Sequence, residues 1–202
     1  ANLHDFIDEE STRTLIGVDQ NDQLSYRWGV GDVLGIYPDQ GTQVAFELSA
    51  GSLSADGLSA TFDGGAWALK NGHNYYAYFP FSQGCFDPAI DKTRIPVSYL
   101  GQKQVDFNDT SNAGQYDYNA AGASMSTSGA VSFNFVRLGA LLRIKFELPA
   151  TGTYQSLVLT SDADVLPISG KVDLTAGTIA YLPQTYASSL TIDLNNASGT
   201  VG

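Results

Sequence analysis

Tyr26-Arg27-Trp28-Gly29-Val30-Gly31-Asp32-Val33-Leu34-Gly35-Ile36-Tyr37 is the stretch whose reading decides the fold. Glycines ahead of an apolar run invite comparison with a nucleotide-binding loop. The spacing rejects that comparison, because Gly29, Gly31 and Gly35 form G-x-G-x-x-x-G, one residue longer than the dinucleotide fingerprint. The order of elements rejects it too, since a phosphate loop follows a strand and opens a helix. Here Val33, Leu34, Ile36 and Tyr37 follow the glycines and Pro38 closes the run. That pattern predicts a β-turn feeding a strand.

The same grammar extends along the chain. Arg13–Val18 and Leu24–Trp28 read as strands joined by the turn cluster Asp19–Gln23. The Asp/Asn spacing of that cluster lacks the glycine and distal glutamate of a calcium loop. Val44, Phe46 and Leu48, and then Leu58, Ala60 and Phe62, alternate with smaller or polar neighbours, as half-buried strands do. The Gly/Ser/Ala-rich link from Ser49 to Gly57 fits a hairpin connection. Tyr75-Tyr76-Ala77-Tyr78-Phe79-Pro80-Phe81 predicts a strand with alternate rings in the core and the others on the surface. Thr93–Val97 reads as an edge strand limited by Pro96, and Asn108–Ser128 as a long surface loop. Val131–Phe135 alternates, and Leu138–Leu148 favours a strand over a helix because Leu142, Ile144, Phe146 and Leu148 alternate with charged residues. Tyr154–Thr160, Gly170–Leu174, Thr178–Leu182 and Leu190–Leu194 complete an all-β expectation.

Composition agrees. The chain has 202 residues, is 43% hydrophobic and only 15% charged, and can therefore build a substantial core. Its 11 Tyr, 10 Phe and 21 Gly favour strands between tight turns. The net charge of −11 argues against a nucleic-acid partner, which requires basic surface. Most of that charge lies in residues 1–131, with 16 acids against 6 bases. No apolar run reaches the length of a membrane-spanning helix, and Ala1 opens a polar segment that fits a cytosolic protein or, in preference, a mature export product. Cys85 is the only cysteine, so no internal disulfide forms, and it reads as a small structural residue. His4 and His73 sit in no motif, and neither a nucleophile elbow nor a zinc-protease or P-loop motif occurs. Asp162 and Asp164 read as a solvated turn rather than a glycosidase pair. The expectation is a non-enzyme with no cofactor and no metal.

Four pieces, in this order and spacing, carry a family likeness. They are Thr12-Arg13-Thr14 ahead of the Trp28–Tyr37 segment; Tyr75–Phe81; Ile95-Pro96 followed by Gln104 and Tyr116-Asp117-Tyr118; and Val131–Leu138 running on to Phe146, with Ile168–Leu174 behind it. Together they resemble the fimbrillin-like superfamily of Bacteroidetes surface proteins, which includes type V pilins and their Mfa-like relatives. The resemblance implies tandem transthyretin-like Greek-key β-sandwich domains, here 1–130 and 131–202. The second is short or incomplete at 72 residues, and the small, polar Asn195–Gly202 is unlike a donor strand. It further implies export to the cell surface, a lipid anchor to the outer membrane upstream of Ala1, and a structural or adhesive role in a fimbria (pilus). The partners would be other fimbrial subunits, joined by β-strand exchange, with host or bacterial surface glycans or proteins as receptors. Arg13 is the protease-processing candidate, although it also reads as an exposed polar strand residue. The alternative reading is a non-polymerising surface lipoprotein that binds glycans through exposed aromatics, with Trp67 and Tyr78 as contacts.

Overall fold

The computed structural model describes residues 15–18, 24–82, 91–104, 112–144 and 151–199. These residues are all-β: they form thirteen strands and no α-helix. The strands are β1 (Leu15–Val18), β2 (Leu24–Arg27), β3 (Val33–Pro38), β4 (Val44–Leu48), β5 (Phe62–Asp63), β6 (Asn74–Phe79), β7 (Ile95–Ser98), β8 (Asn119–Met125), β9 (Val136–Arg137), β10 (Gly152–Thr160), β11 (Leu166–Val172), β12 (Tyr181–Ala187) and β13 (Ser189–Gly199). A 3-10 turn over Ala113–Tyr116 precedes β8.

The opening segment builds the turn its sequence predicts. Gly31 takes a φ of +94°, a conformation that a side chain would strain. The Asp32 amide donates to the Gly29 carbonyl at 3.1 Å, and the Gly29 amide donates to Asp32 Oδ2 at 2.8 Å. Asp32 is fully buried by this closure, and its carbonyl receives the Leu48 amide at 3.0 Å. The turn thus delivers β3 into the middle of a six-stranded antiparallel sheet ordered β5-β4-β3-β6-β8-β9.

Both faces of this sheet are covered. Leu34, Ile36, Phe46, Tyr75, Ala77, Phe79 and Ala121 form one buried cluster, over which Trp28, Phe62, Trp67, Phe133 and Phe135 pack. Tyr37, Tyr78 and Ala120 point the other way and meet Ile95, Val97, Val172 and Leu174. Those partners belong to or border a three-stranded sheet ordered β12-β11-β7, so the arrangement is sandwich-like. The sequence reading of Tyr75–Phe81 is corrected here. No ring row of β6 faces solvent, because a second layer covers the face expected to be exposed.

Three other differences have local causes. Leu58–Thr61 is not a strand: the Ser54 hydroxyl accepts the Ser59 amide, Asp56 accepts the Leu58 amide, and the Ser52 hydroxyl accepts the Thr61 amide. Side chains there take backbone groups that a ladder would need. Val131–Phe135 joins no ladder, yet its alternation is real, with Val131, Phe133 and Phe135 against the core and Ser132 and Asn134 exposed. The expected loop 108–128 contains β8, whose Asn-Ala-Ala-Gly-Ala-Ser-Met sequence carries no β-branched residue.

Strand pairing and packing run across the boundary expected at 130/131. β9 pairs with β8, β11 pairs with β7, and Val172 and Leu174 share a cluster with Tyr37 and Tyr78. The remaining long ribbon, β10 with β13, is tied to the body where the Gln104 amide donates to the Asp193 carbonyl at 2.7 Å and the Asp193 amide to the Gln102 carbonyl at 2.9 Å.

Candidate functional site

Two recesses carry the features a partner could use. The first is a cleft of about 580 Å³ between β2 and the body. Its upper wall is Tyr26, Arg27 and Trp28; the Trp28 amide donates to the Gly57 carbonyl at 2.8 Å, joining β2 to the 54–59 loop. Gly57 has a φ of +72°, and a Cβ there would sit 2.8 Å from Arg27 Cβ, so the arginine stem lies directly on the glycine. Asp56 holds the loop. Its Oδ1 accepts the Ser54 hydroxyl at 2.6 Å and the Leu58 amide at 3.0 Å. Those hydrogen bonds, with a smaller contribution from the Arg27 charge, hold its carboxyl below the usual range. Leu58 stands 66% exposed at the mouth.

The floor is an ion pair between distant parts of the chain. Arg137 Nε lies 2.5 Å from Asp117 Oδ1, and Nη2 donates to Oδ2 at 3.2 Å. The fork-to-fork geometry fixes both groups. Asp117 is buried, and the Arg137 guanidinium lies 3.5 Å from the Tyr26 ring centre. Asn119 supports the pair by donating from Nδ2 to the Asp117 carbonyl at 2.7 Å.

The second recess is a groove of about 720 Å³ beside β8. β8 pairs with β6 along its length, but with β9 only at Asn119 and Ala120. Among the described residues no strand pairs with the other edge of β8 from Ala121 to Met125. The backbone of Ala121, Gly122 and Ala123 lines the groove together with Val136, Leu174 and Ile179.

The sequence candidates fall elsewhere. Tyr78 is 2% exposed; its hydroxyl donates to Gln43 Oε1 and accepts the Ser82 amide at 3.1 Å. A ring so enclosed offers no stacking face, so Tyr78 is a core residue and not a glycan contact. Trp67 is half-buried, edge-on to Phe46 and Tyr75 at 5.9 and 6.0 Å, and serves the core in the same way. Asp162 and Asp164 are exposed. Arg13, Cys85, His4 and the Asp19–Gln23 cluster lie outside the described residues. Sequence reasoning did not single out Tyr26, Asp117 and Arg137 as a set. Asp117 and Arg137 stand 20 residues apart and Tyr26 much farther, with no motif linking them. Among the described residues no group of three metal-ligating side chains converges, and no helix is long and apolar enough to cross a membrane. No family model, curated protein or solved structure matches this chain.

Proposed function

We propose that this chain is a non-catalytic structural or adhesive subunit of a bacterial surface fimbria, assembling by strand addition between copies. The observation that carries the reading is the β8 groove. A sheet edge that no strand among the described residues pairs with, lined by Ala121, Gly122, Ala123, Leu174 and Ile179, suits an incoming extended strand. Main-chain hydrogen bonds would supply affinity, and apolar side chains would fill the space above the small residues. By contrast, the opposite edge of the same sheet, β5, is only two residues long and presents little to pair with. The resemblance to fimbrillin-like proteins supports the same reading. It would add the transthyretin-like Greek-key topology, a lipid anchor at the outer membrane, and processing at Arg13.

The test is polymer formation. A Cβ at Gly122 would lie 3.6 Å from Ile179 Cδ1 and from the Leu174 carbonyl, an ordinary contact, so a leucine there would occupy groove space beside those residues. The full chain, incubated with and without a trypsin-like protease, should yield fibres visible by electron microscopy, and Gly122→Leu should remain monomeric. A wild-type chain that stays monomeric under both conditions, or fibres that form equally with Gly122→Leu, would refute strand addition at this edge.

A further inference from the structure

The cleft beneath β2 has a chemistry distinct from the β8 groove. Two cations and two anions line it: Arg137 is paired with Asp117, and Arg27 and Asp56 share the wall without forming an ion pair. The site is therefore charge-balanced within a chain of net charge −11. An anionic ligand would find the Arg137 guanidinium already countered by Asp117 and the Asp56 carboxylate on the same wall as Arg27. A cation would find Asp117 already paired and Asp56 already accepting from Ser54 and Leu58. What remains are planar groups held in fixed orientation, the Arg137 guanidinium and the Asn119 amide, beside exposed Leu58 and the part of Trp28 that the rings of Phe62, Phe79 and Phe135 leave uncovered.

That combination suits a neutral polyol. Sugar hydroxyls both donate and accept, matching guanidinium, amide and carboxylate groups, while the C–H face of a pyranose packs on aromatic or aliphatic surface. The recess, about 580 Å³, is open to solvent, so a saccharide there would keep one face in water. The Tyr26 stack and the bidentate pair to Asp117 hold the Arg137 fork before any ligand arrives, which reduces the entropy lost on binding. We infer that this cleft is a binding site for a neutral saccharide, a site separate from the half-buried Trp67 and the buried Tyr78.

The inference does not depend on fibre assembly and is tested on the monomer. The full chain carrying Trp67→Phe retains Trp28 as its sole tryptophan, so indole emission then reports on the cleft. It is screened against an array of neutral and acidic oligosaccharides, and the binders are titrated by fluorescence. Saturable binding of a neutral oligosaccharide is expected, at least tenfold weaker in Leu58→Glu. That change places a charge at the mouth from a residue that makes no core contact. Arg27→Ser, which leaves Asp56 unbalanced, should weaken it likewise. No binding of any neutral glycan, binding of acidic glycans alone, or neutral binding unchanged by both substitutions would overturn the assignment.

Discussion

Replacing Gly35 with alanine should destabilise the protein through one ring. Gly35 on β3 sits opposite Tyr78 on β6, and a Cβ there would meet Tyr78 Cε1 at 2.0 Å, Cζ at 2.4 Å and Cδ1 at 2.7 Å. The ring must move by more than about 1 Å to reach an ordinary carbon contact of about 3.5 Å. It cannot move cheaply, since its hydroxyl is bonded to Gln43 and Ser82 and the residue is 2% exposed. Overpacking costs about 1–3 kcal/mol. Disturbing the buried hydroxyl adds about 1 kcal/mol. Replacing glycine within a strand returns about 0.5–1 kcal/mol. The net is a loss of about 1–3.5 kcal/mol, or roughly 2–14 °C in Tm for a chain of this size. Urea unfolding followed by circular dichroism and tryptophan emission measures it. Tyr78→Val removes the ring, and in that background Gly35→Ala should be neutral or slightly stabilising, a coupling of about 1–4 kcal/mol. A Gly35→Ala cost below about 0.5 kcal/mol, or the same cost with and without the ring, would refute this account of the β3–β6 contact.

The Asp117–Arg137 pair and the Tyr99 phenol each give a further expected outcome. Arg137→Ala leaves the buried Asp117 carboxylate without its cation and Tyr26 without its stacking partner; because the arginine is partly solvated, the expected loss is near the lower end of the buried-pair range, about 2–3 kcal/mol. Adding Asp117→Asn should recover part of it in the same urea assay, and a loss unchanged by the second substitution would count against the ion pair. The Tyr99 phenol is pushed up to about 12 from an ordinary 10.0, chiefly by burial and then by the neighbouring Tyr181, Tyr118 and Asp117. Between about pH 10 and 12 the unfolded chain releases this proton while the folded chain keeps it, so stability should be whole below pH 10 and fall through that window. Ultraviolet titration of wild type against Tyr99→Phe isolates the group, and a transition near pH 10 in the folded protein would contradict it.

Where local chemistry decides an element, the sequence was legible. Gly31 and Asp32 announce a turn because only certain residues tolerate its geometry, and Asp32 closes it with its own side chain. Val33–Tyr37, Val44–Leu48 and Tyr154–Thr160 form strands close to where alternation or apolar runs put them. β8 was illegible because alanine and glycine carry no strand preference. Ala120 and Ala121 are nonetheless 0% and 2% exposed, since each face of β8 lies within one of the two clusters. The orientation of the aromatic run was equally hidden: alternation assigns Tyr75 and Tyr78 to opposite faces of β6, but not which of those faces another layer will cover.

By itself, then, the sequence determined an all-β chain, its principal strands and the turn ahead of Val33, because those depend on residues within a few positions of one another. Only the tertiary structure decided that β6 is buried on both faces, that β8 ends beside a groove, and that Tyr26, Asp117 and Arg137 meet beneath β2. These are contacts between segments up to a hundred or more residues apart. They depend on which sheet faces which, and no local periodicity encodes that choice.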